Sequence, residues 1–310
     1  MCTAINETRG RHLFGRTLDL DRSYGEQVVI SPRRLPFSFI YEGKISDHYA
    51  IIGTACLIDN IPLYFDAMNE NGLCVAALRF PDVACYHQKQ GDKVNLASFE
   101  VIPWILCNFS SVNEAKAALN RANITSDSFS AALSATPLHW IVGDKDGAFV
   151  VESDKGGLHI YDGAEGILTN APEFPIQAQS AALLLNDKET EHFPIPGDMS
   201  SRSRFIRATY AKYHTEQAKG EAEAISRFFH IMGTVNQPLG FESARTIGIS
   251  STAPMKTLYT SCMDSASLTY YFTTYSCRQI RGARLKNAHL DLGDLISFPM
   301  EREEWFHFLN

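Results

Sequence analysis

Alternation of apolar and polar residues with a period of two dominates the N-terminal quarter of the chain. Runs at residues 2–6, 12–20, 27–30, 49–56, 61–66 and 73–80 are rich in β-branched and other apolar residues and predict strands. Asn71-Gly72, between the last two, marks a hairpin turn. From Leu96 the pattern changes. Residues 97–109 are apolar round most of a helical surface, which predicts a helix buried against a sheet face. Ser111-Val112-Asn113-Glu114 is a capping box, and Val112, Ala115, Ala118, Leu119 and Ala122 then keep helical spacing.

A polar stretch at 123–137 separates these helices from strands predicted at 138–142, 148–152, 158–161 and 166–170. Helices follow at 173–185, 203–214 and 222–234, the first two joined by a charged, proline-bearing connection at 186–199. Three strands, at 257–263, 268–274 and 279–285, precede an acidic, aromatic tail. Hairpin-joined strands with grouped helices predict an α+β fold of antiparallel sheets covered by helices, not alternating βαβ units. With no internal repeat or linker, residues 1–310 read as one domain.

Composition narrows the function classes. Hydrophobic residues make up 45% and charged residues 20%, ordinary values for a soluble globular chain. Lysine and arginine number 28 against 35 acidic residues, a net charge of -7, and this lack of basic excess argues against a nucleic-acid partner. No apolar run is long enough to span a membrane. The 7 cysteines are scattered without C-x-x-C spacing, and nothing resembling a secretory signal precedes Cys2, which together predict reduced thiols in the cytoplasm. The 10 histidines show no metal-ligand spacing. Phosphate-loop, dinucleotide and zinc-protease motifs are absent, and Gly248-Ile249-Ser250 is followed by serine and threonine, so it does not complete a nucleophile elbow. No cofactor or metal is implied.

The chemistry that remains lies mostly at the start of the chain. If Met1 is removed, Cys2 carries a thiol and a free α-amino group whose ordinary pKa is about 7.7–8.0, so nucleophile and base sit on one residue. The alternative is a small buried residue on an edge strand. Arg16 and Asp19 lie three apart on one strand and point to opposite faces unless the strand bends or ends between them. They read as a divided site or as a strand-end ion pair. Arg202, Arg204 and Arg207 crowd a helix start, where the macrodipole disfavours cations, so a structural carboxylate, a thiolate or a substrate anion must offset them. Asn170 ends a strand before a helix and reads as a cap or as an oxyanion donor. His139, beside Trp140, reads as a hydrogen-bonded structural residue.

Taken together, Met1-Cys2-Thr3, the segment from Phe14 to Asp19, Asn69-Glu70-Asn71-Gly72-Leu73, Leu138-His139-Trp140, Leu168-Thr169-Asn170, Ser203-Arg204-Phe205-Ile206-Arg207 and Tyr259-Thr260-Ser261-Cys262 resemble the choloylglycine hydrolase family of N-terminal-nucleophile hydrolases, which contains bile salt hydrolases and penicillin V acylases. The resemblance implies a four-layer αββα sandwich. It also implies Cys2 as nucleophile with its own amine as base, Arg16 and Arg204 holding thiolate and substrate, Asp19 positioning the amine, and Asn170 donating to the oxyanion. The implied reaction is hydrolysis of a linear amide, foremost a conjugated bile salt. Penicillin V acylase is the alternative, followed by acyl-homoserine lactone acylase and, outside enzymes, a binder of amphipathic acids.

Leu18, Phe65, Phe129 and Leu133 are the expected acyl-pocket residues, each otherwise ordinary packing. Arg79 departs from the family, whose bile salt hydrolases typically carry asparagine there and whose penicillin acylases carry tyrosine. It reads as a partner for a glycine carboxylate or taurine sulfonate, or as a solvent-facing cation. The resemblance further implies a homo-oligomer, a tetramer in the family, but the 171–203 segment is shorter here than the one that reaches across that tetramer.

Overall fold

The computed structural model describes residues 1–186, 194–242, 253–300, 303–304 and 306–310. Gly248-Ile249-Ser250, the middle of the 186–199 connection and part of the acidic tail lie outside the described residues.

The period-two runs form β1 (Cys2–Glu7), β2 (Leu13–Leu20), β3 (Gln27–Ser31), β6 (Ile51–Ile58), β7 (Ile61–Asn69) and β8 (Cys74–Arg79), and three short strands that no run predicted join them, β4 (Phe37–Phe39), β5 (Gly43–Ile45) and β9 (Val94–Ala97). Two helices follow, α1 (Val101–Asn108) and α2 (Val112–Leu119), and then β10 (Ala122–Thr125), β11 (Leu138–Asp144), β12 (Gly147–Asp154), β13 (Gly157–Asp162) and β14 (Ile167–Leu168). The second helical group is α3 (Phe174–Asn186), α4 (Ser201–His214) and α5 (Glu221–Gly233). The chain closes with β15 (Lys256–Asp264), β16 (Thr269–Thr274), β17 (Arg281–Arg284) and β18 (Ile296–Pro299).

Two large antiparallel sheets result. One runs β14-β1-β2-β15-β16-β17 and the other β13-β12-β11-β8-β7-β6-β3-β18. Helices α1 and α2 pack on the outer face of the eight-stranded sheet, and α4 and α5 on that of the six-stranded sheet, giving the αββα sandwich. One apolar core fills the space between the sheets and continues beneath α4 and α5, while a second lies under α1 and α2. No helix among the described residues is long and apolar enough to cross a membrane.

Several boundaries differ from the sequence expectation. The helix expected over 97–109 begins at Val101, because residues 94–97 pair in parallel with β10; Ala122, expected to continue the helical spacing of α2, opens that strand instead, and residues 123–125 of the expected polar stretch complete it. The strand expected over 166–170 is reduced to Ile167–Leu168, paired only with Ile5 and Ala4. The tail supplies β18, which adds to the edge of β3. These pieces are too short to show a period; they exist because a partner strand satisfies their backbone. At Gly15 the close approach of β15 leaves no room for a side chain: an added Cβ would stand 2.0 Å from the Ser261 carbonyl oxygen.

Candidate active site

In the β1–β2 ladder Cys2 pairs with Leu18 and Ala4 with Arg16. Side chains alternate, so Cys2, Arg16 and Leu18 face the interior between the sheets, and Thr3, Thr17 and Asp19 face the helices outside. Arg16 and Asp19 therefore do point apart, and they reach the Cys2 end of β1 from opposite sides. Cys2 is not on an edge strand, since β14 and β2 flank β1.

The inner side is opened by a β-bulge. Thr54 pairs with Asp66 but the adjacent Ala55 pairs with Tyr64, so Phe65 is an extra residue in β7. Pairing of β7 with β8 reaches only to Ala76, and beyond it one edge of β8 has no strand partner among the described residues. Arg16 fills the gap. Its Nη1 donates to the Phe65 carbonyl at 3.1 Å and to the Ala77 carbonyl, and its Nε donates to the Thr17 carbonyl at 3.1 Å. Nη2 is buried and has no hydrogen-bond partner among the described residues. Burial opposes the charge of this fully enclosed guanidinium, but Cys2, Tyr259, Asp66 and Asp19 hold its pKa above the ordinary value.

The outer side is built on α4. Ser200 caps this helix by accepting from the Ser203 backbone at 3.3 Å, which starts it earlier than the residue 203 expected from sequence. Arg204 then turns inward, fully buried. It donates from Nη1 to the Cys2 carbonyl and to Thr3 Oγ1 (2.7 Å), from Nη2 to Asn170 Oδ1 (2.7 Å), and from Nε to the Met199 carbonyl (3.0 Å). These acceptors, rather than a bound carboxylate, offset the unfavourable helix position. Burial lowers the Arg204 pKa, while Asp19 and Cys2 act against that shift.

Asn170 joins the two sides. Its Oδ1 accepts from the Cys2 backbone N–H at 3.0 Å, and its Nδ2 donates to the Arg79 carbonyl at 2.6 Å, across to the open edge of β8. Because Phe80 N–H donates to the Pro137 carbonyl at 2.9 Å, both backbone polar groups of Arg79 project the other way, toward that open edge. His139 lies behind. It stacks on Phe80 with centroids 4.2 Å apart and contacts Glu152 and the Thr169 carbonyl, each at 3.0 Å, the structural role expected of it.

Met1 continues the β1–β2 ladder. Its amine donates to the Asp19 carbonyl at 2.6 Å and its carbonyl accepts from the Asp19 N–H at 2.9 Å, while its side chain clusters with Met199 and Met255. The Asp19 carboxylate accepts from Thr257 at 2.7 Å and Thr17 at 3.2 Å. Burial pushes the Met1 amine down to about 6 from its ordinary 8.0, with the Cys2 and Asp19 charges opposing.

A cavity of about 210 Å³ lies on the inner side, and Cys2, Arg16, Leu18, Phe65, Arg79, Phe129 and Leu133 all line it. Asp19, Asn170 and Arg204 stand behind its wall. The lining also includes Tyr24, Leu63, Phe99 and Ile102, which sequence reasoning did not single out. Phe129 is fixed by an edge contact with Phe99, centroids 5.2 Å apart, and by its backbone N–H to the Leu133 carbonyl at 3.0 Å. Asp66, Tyr259 and Ser261 were likewise missed as site residues. An acid at an inward position of an otherwise apolar strand is the one signal that marked Asp66.

The chain matches the family model described as linear amide C–N hydrolases, choloylglycine hydrolase family, over residues 2–298. It is 39% identical to a bile salt hydrolase/transferase of Lactiplantibacillus plantarum, with all of both chains covered. It is 31% identical to a conjugated bile acid hydrolase of Lactobacillus gasseri, over 96% of this chain and 100% of the relative. Among solved structures, a mutant conjugated bile acid hydrolase from Clostridium perfringens superposes with a TM-score of 0.89 at 28% identity, covering 100% of each chain. A penicillin V acylase from Agrobacterium tumefaciens shares the fold, with a TM-score of 0.79 at 21% identity, over 96% of this chain and 91% of that one. A full-length match of sequence and fold, with a cysteine at the head of β1 on the wall of an apolar cavity, establishes that the chain belongs to the choloylglycine hydrolase family of linear amide C–N hydrolases.

Proposed function

We propose that this chain hydrolyses the amide bond of conjugated bile salts, releasing a bile acid and glycine or taurine, with Cys2 as nucleophile once Met1 is removed. The observation that carries the reading is the position of Cys2 between two buried arginines on the wall of an apolar cavity. The names of the relatives support the substrate class.

In this mechanism the Cys2 α-amine takes the thiol proton and the sulfur attacks the amide carbonyl. The new S–C bond pushes the carbonyl electron pair onto oxygen. Donors for that oxyanion are the Arg79 backbone N–H at the open edge of β8 and the second N–H of Asn170 Nδ2, whose first is spent on the Arg79 carbonyl. Arg16 lines the same cavity as a cation, with Nη2 not spent on any hydrogen bond among the described residues. Collapse breaks the C–N bond as the Cys2 ammonium returns its proton to the departing nitrogen. Water then attacks the thioester carbonyl as the α-amine takes its proton; the C–S bond breaks, the sulfur regains that proton and the acid leaves. Arg204 and Asn170 hold Cys2 in place, and Asp19 fixes the amine end.

Leu18, Phe65, Phe129 and Leu133 take the apolar acyl half. Arg79 takes the anion of the leaving amine: its Nε is buried without a partner, and its guanidinium forms no ion pair among the described residues. All 7 cysteines are free thiols, which supports the cytoplasm as the setting. Exposed Phe306, Phe308 and Leu309 support a homo-oligomer.

Parallel release assays with glycocholate, taurocholate and penicillin V, with intact mass to register Met1, test the reading. Glycine or taurine from Met1-free protein supports it. Phenoxyacetate alone moves the chain to the penicillin acylases, and no release with Met1 retained favours the non-catalytic binder. Arg79→Asn should lower kcat/KM for glycocholate about tenfold more than for its neutral amide, glycocholamide; equal losses would remove Arg79 from substrate recognition.

A further inference from the structure

Arg16 is fully buried, yet among the described residues it forms no ion pair, and its side-chain donors run to the carbonyl oxygens of Thr17, Phe65 and Ala77. A buried carboxyl group stands one layer behind. Asp66, also fully buried, lies next to the bulged Phe65 and gathers Tyr259 Oη, Ser261 Oγ at 2.8 Å and Tyr270 Oη at 2.8 Å. Ser261 links the two residues, since the same Oγ accepts the Arg16 backbone N–H at 3.1 Å and donates to Asp66. Three hydroxyl groups converging on one carboxyl match the acceptor capacity of its ionised form.

We propose that Asp66 is a positioning residue for amide hydrolysis: it balances the charge of Arg16 from one hydrogen-bond layer back, leaving Arg16 Nη2 for the reacting groups. A carboxylate in direct contact would take a guanidinium in a two-bond fork and spend that donor. Held off by tyrosine and serine, it still acts through a low-dielectric interior. The inference rests on the reading of Cys2 as nucleophile.

Without the Asp66 charge, the field of Arg16 falls on Cys2 with less opposition. The thiolate then forms at lower pH, but a more strongly stabilised thiolate attacks more slowly. The other charges facing Cys2 are Asp19 on β2, Arg204 on α4, Arg79 on β8 and the terminal amine. Asp66 itself is faced by Arg16, Tyr259, Tyr270 and Cys74; burial raises its pKa, and Arg16 together with the hydrogen bonds from Tyr259, Ser261 and Tyr270 acts against that shift.

The test is Asp66→Asn, read by the pH dependence of iodoacetamide alkylation at Cys2, mapped to the N-terminal peptide, together with kcat and KM. The alkylation midpoint should fall by about half a pH unit or more. In parallel, kcat should drop about twofold for each half unit of that shift, with KM nearly constant. An unmoved or raised midpoint overturns the proposal, since a purely structural role would lower thermal stability without lowering the midpoint. Should Asp66→Asn not fold, Tyr259→Phe removes one donor to the carboxylate and should shift the midpoint the same way by less; no shift overturns the proposal there too. Alkylation reads Cys2 whatever amide is cleaved. An unreactive wild-type Cys2 would overturn the nucleophile reading itself, whereas a reactive one with unmoved midpoints in the variants overturns only the role of Asp66.

Discussion

Arg16 and Arg204 are both fully buried and both lie against Cys2, yet their surroundings treat the charge differently. On the outer side every nitrogen of Arg204 has an acceptor, and those acceptors are the Cys2 carbonyl, Thr3, Asn170 and the Met199 carbonyl, which between them fix the start of β1. On the inner side Arg16 keeps one nitrogen unspent, and anionic neighbours raise its pKa where burial lowers that of Arg204. The outer arginine is a clamp and the inner one a reserve of charge. The proposed mechanism, in which negative charge develops at sulfur and then at oxygen, needs both: a nucleophile that does not move, and donors not already committed.

The largest effect is expected where the two sides meet. Cys2→Ala removes one sulfur, so turnover should fall by at least about 10⁴-fold with the fold intact. Thermal unfolding and product release check this, and substantial remaining activity would make the comparison of the arginines irrelevant to catalysis.

Exchanging each arginine for lysine tests the division directly, because lysine keeps the charge but not the fork. Arg204→Lys leaves buried acceptors unpaired at a cost of about 1–3 kcal/mol each, so thermal stability and the titratable fraction of Cys2 should drop together. Arg16→Lys should instead lower kcat by about 10²-fold per active site with a smaller loss of stability. Equal profiles for the two variants would break the distinction.

The smallest effect concerns the form that retains Met1. Its buried amine has a pKa of about 6 against 8.0 when free, so the folded state binds fewer protons than the unfolded state between those values. Stability of this form should be full above pH 8 and decline as pH falls toward 6, by on the order of 5 °C in thermal midpoint. A flat profile would show that burial of the Met1 amine beside Asp19 does not discriminate against a charged terminus.

Much of the architecture was legible because it is local. Strand period, the Asn71-Gly72 turn and the Ser111 cap each act over a few residues, and the structure bears them out in the β7–β8 hairpin and at the start of α2. The short pairs were not legible: β4, β5, β9, β10 and β18 carry 3 or 4 residues each, too few for a pattern, and depend on a partner for their hydrogen bonds. Side-chain parity correctly set Arg16 and Asp19 apart. It did not show that Asn170 would spend its amide on the Arg79 carbonyl, a contact between residues 91 positions apart.

By itself the sequence determined the antiparallel, helix-covered plan, the single residue able to supply both thiol and amine, and, through resemblance, the family. The tertiary structure alone decided how that residue is held and surrounded. The extra residue at Phe65 parts β7 from β8, and the gap admits Arg16, which meets the Asp66 cluster drawn from β7, β15 and β16. Periodicity is a property of neighbours in sequence, whereas a buried charge is governed by whatever the fold brings within a few ångströms, and no local pattern encodes that.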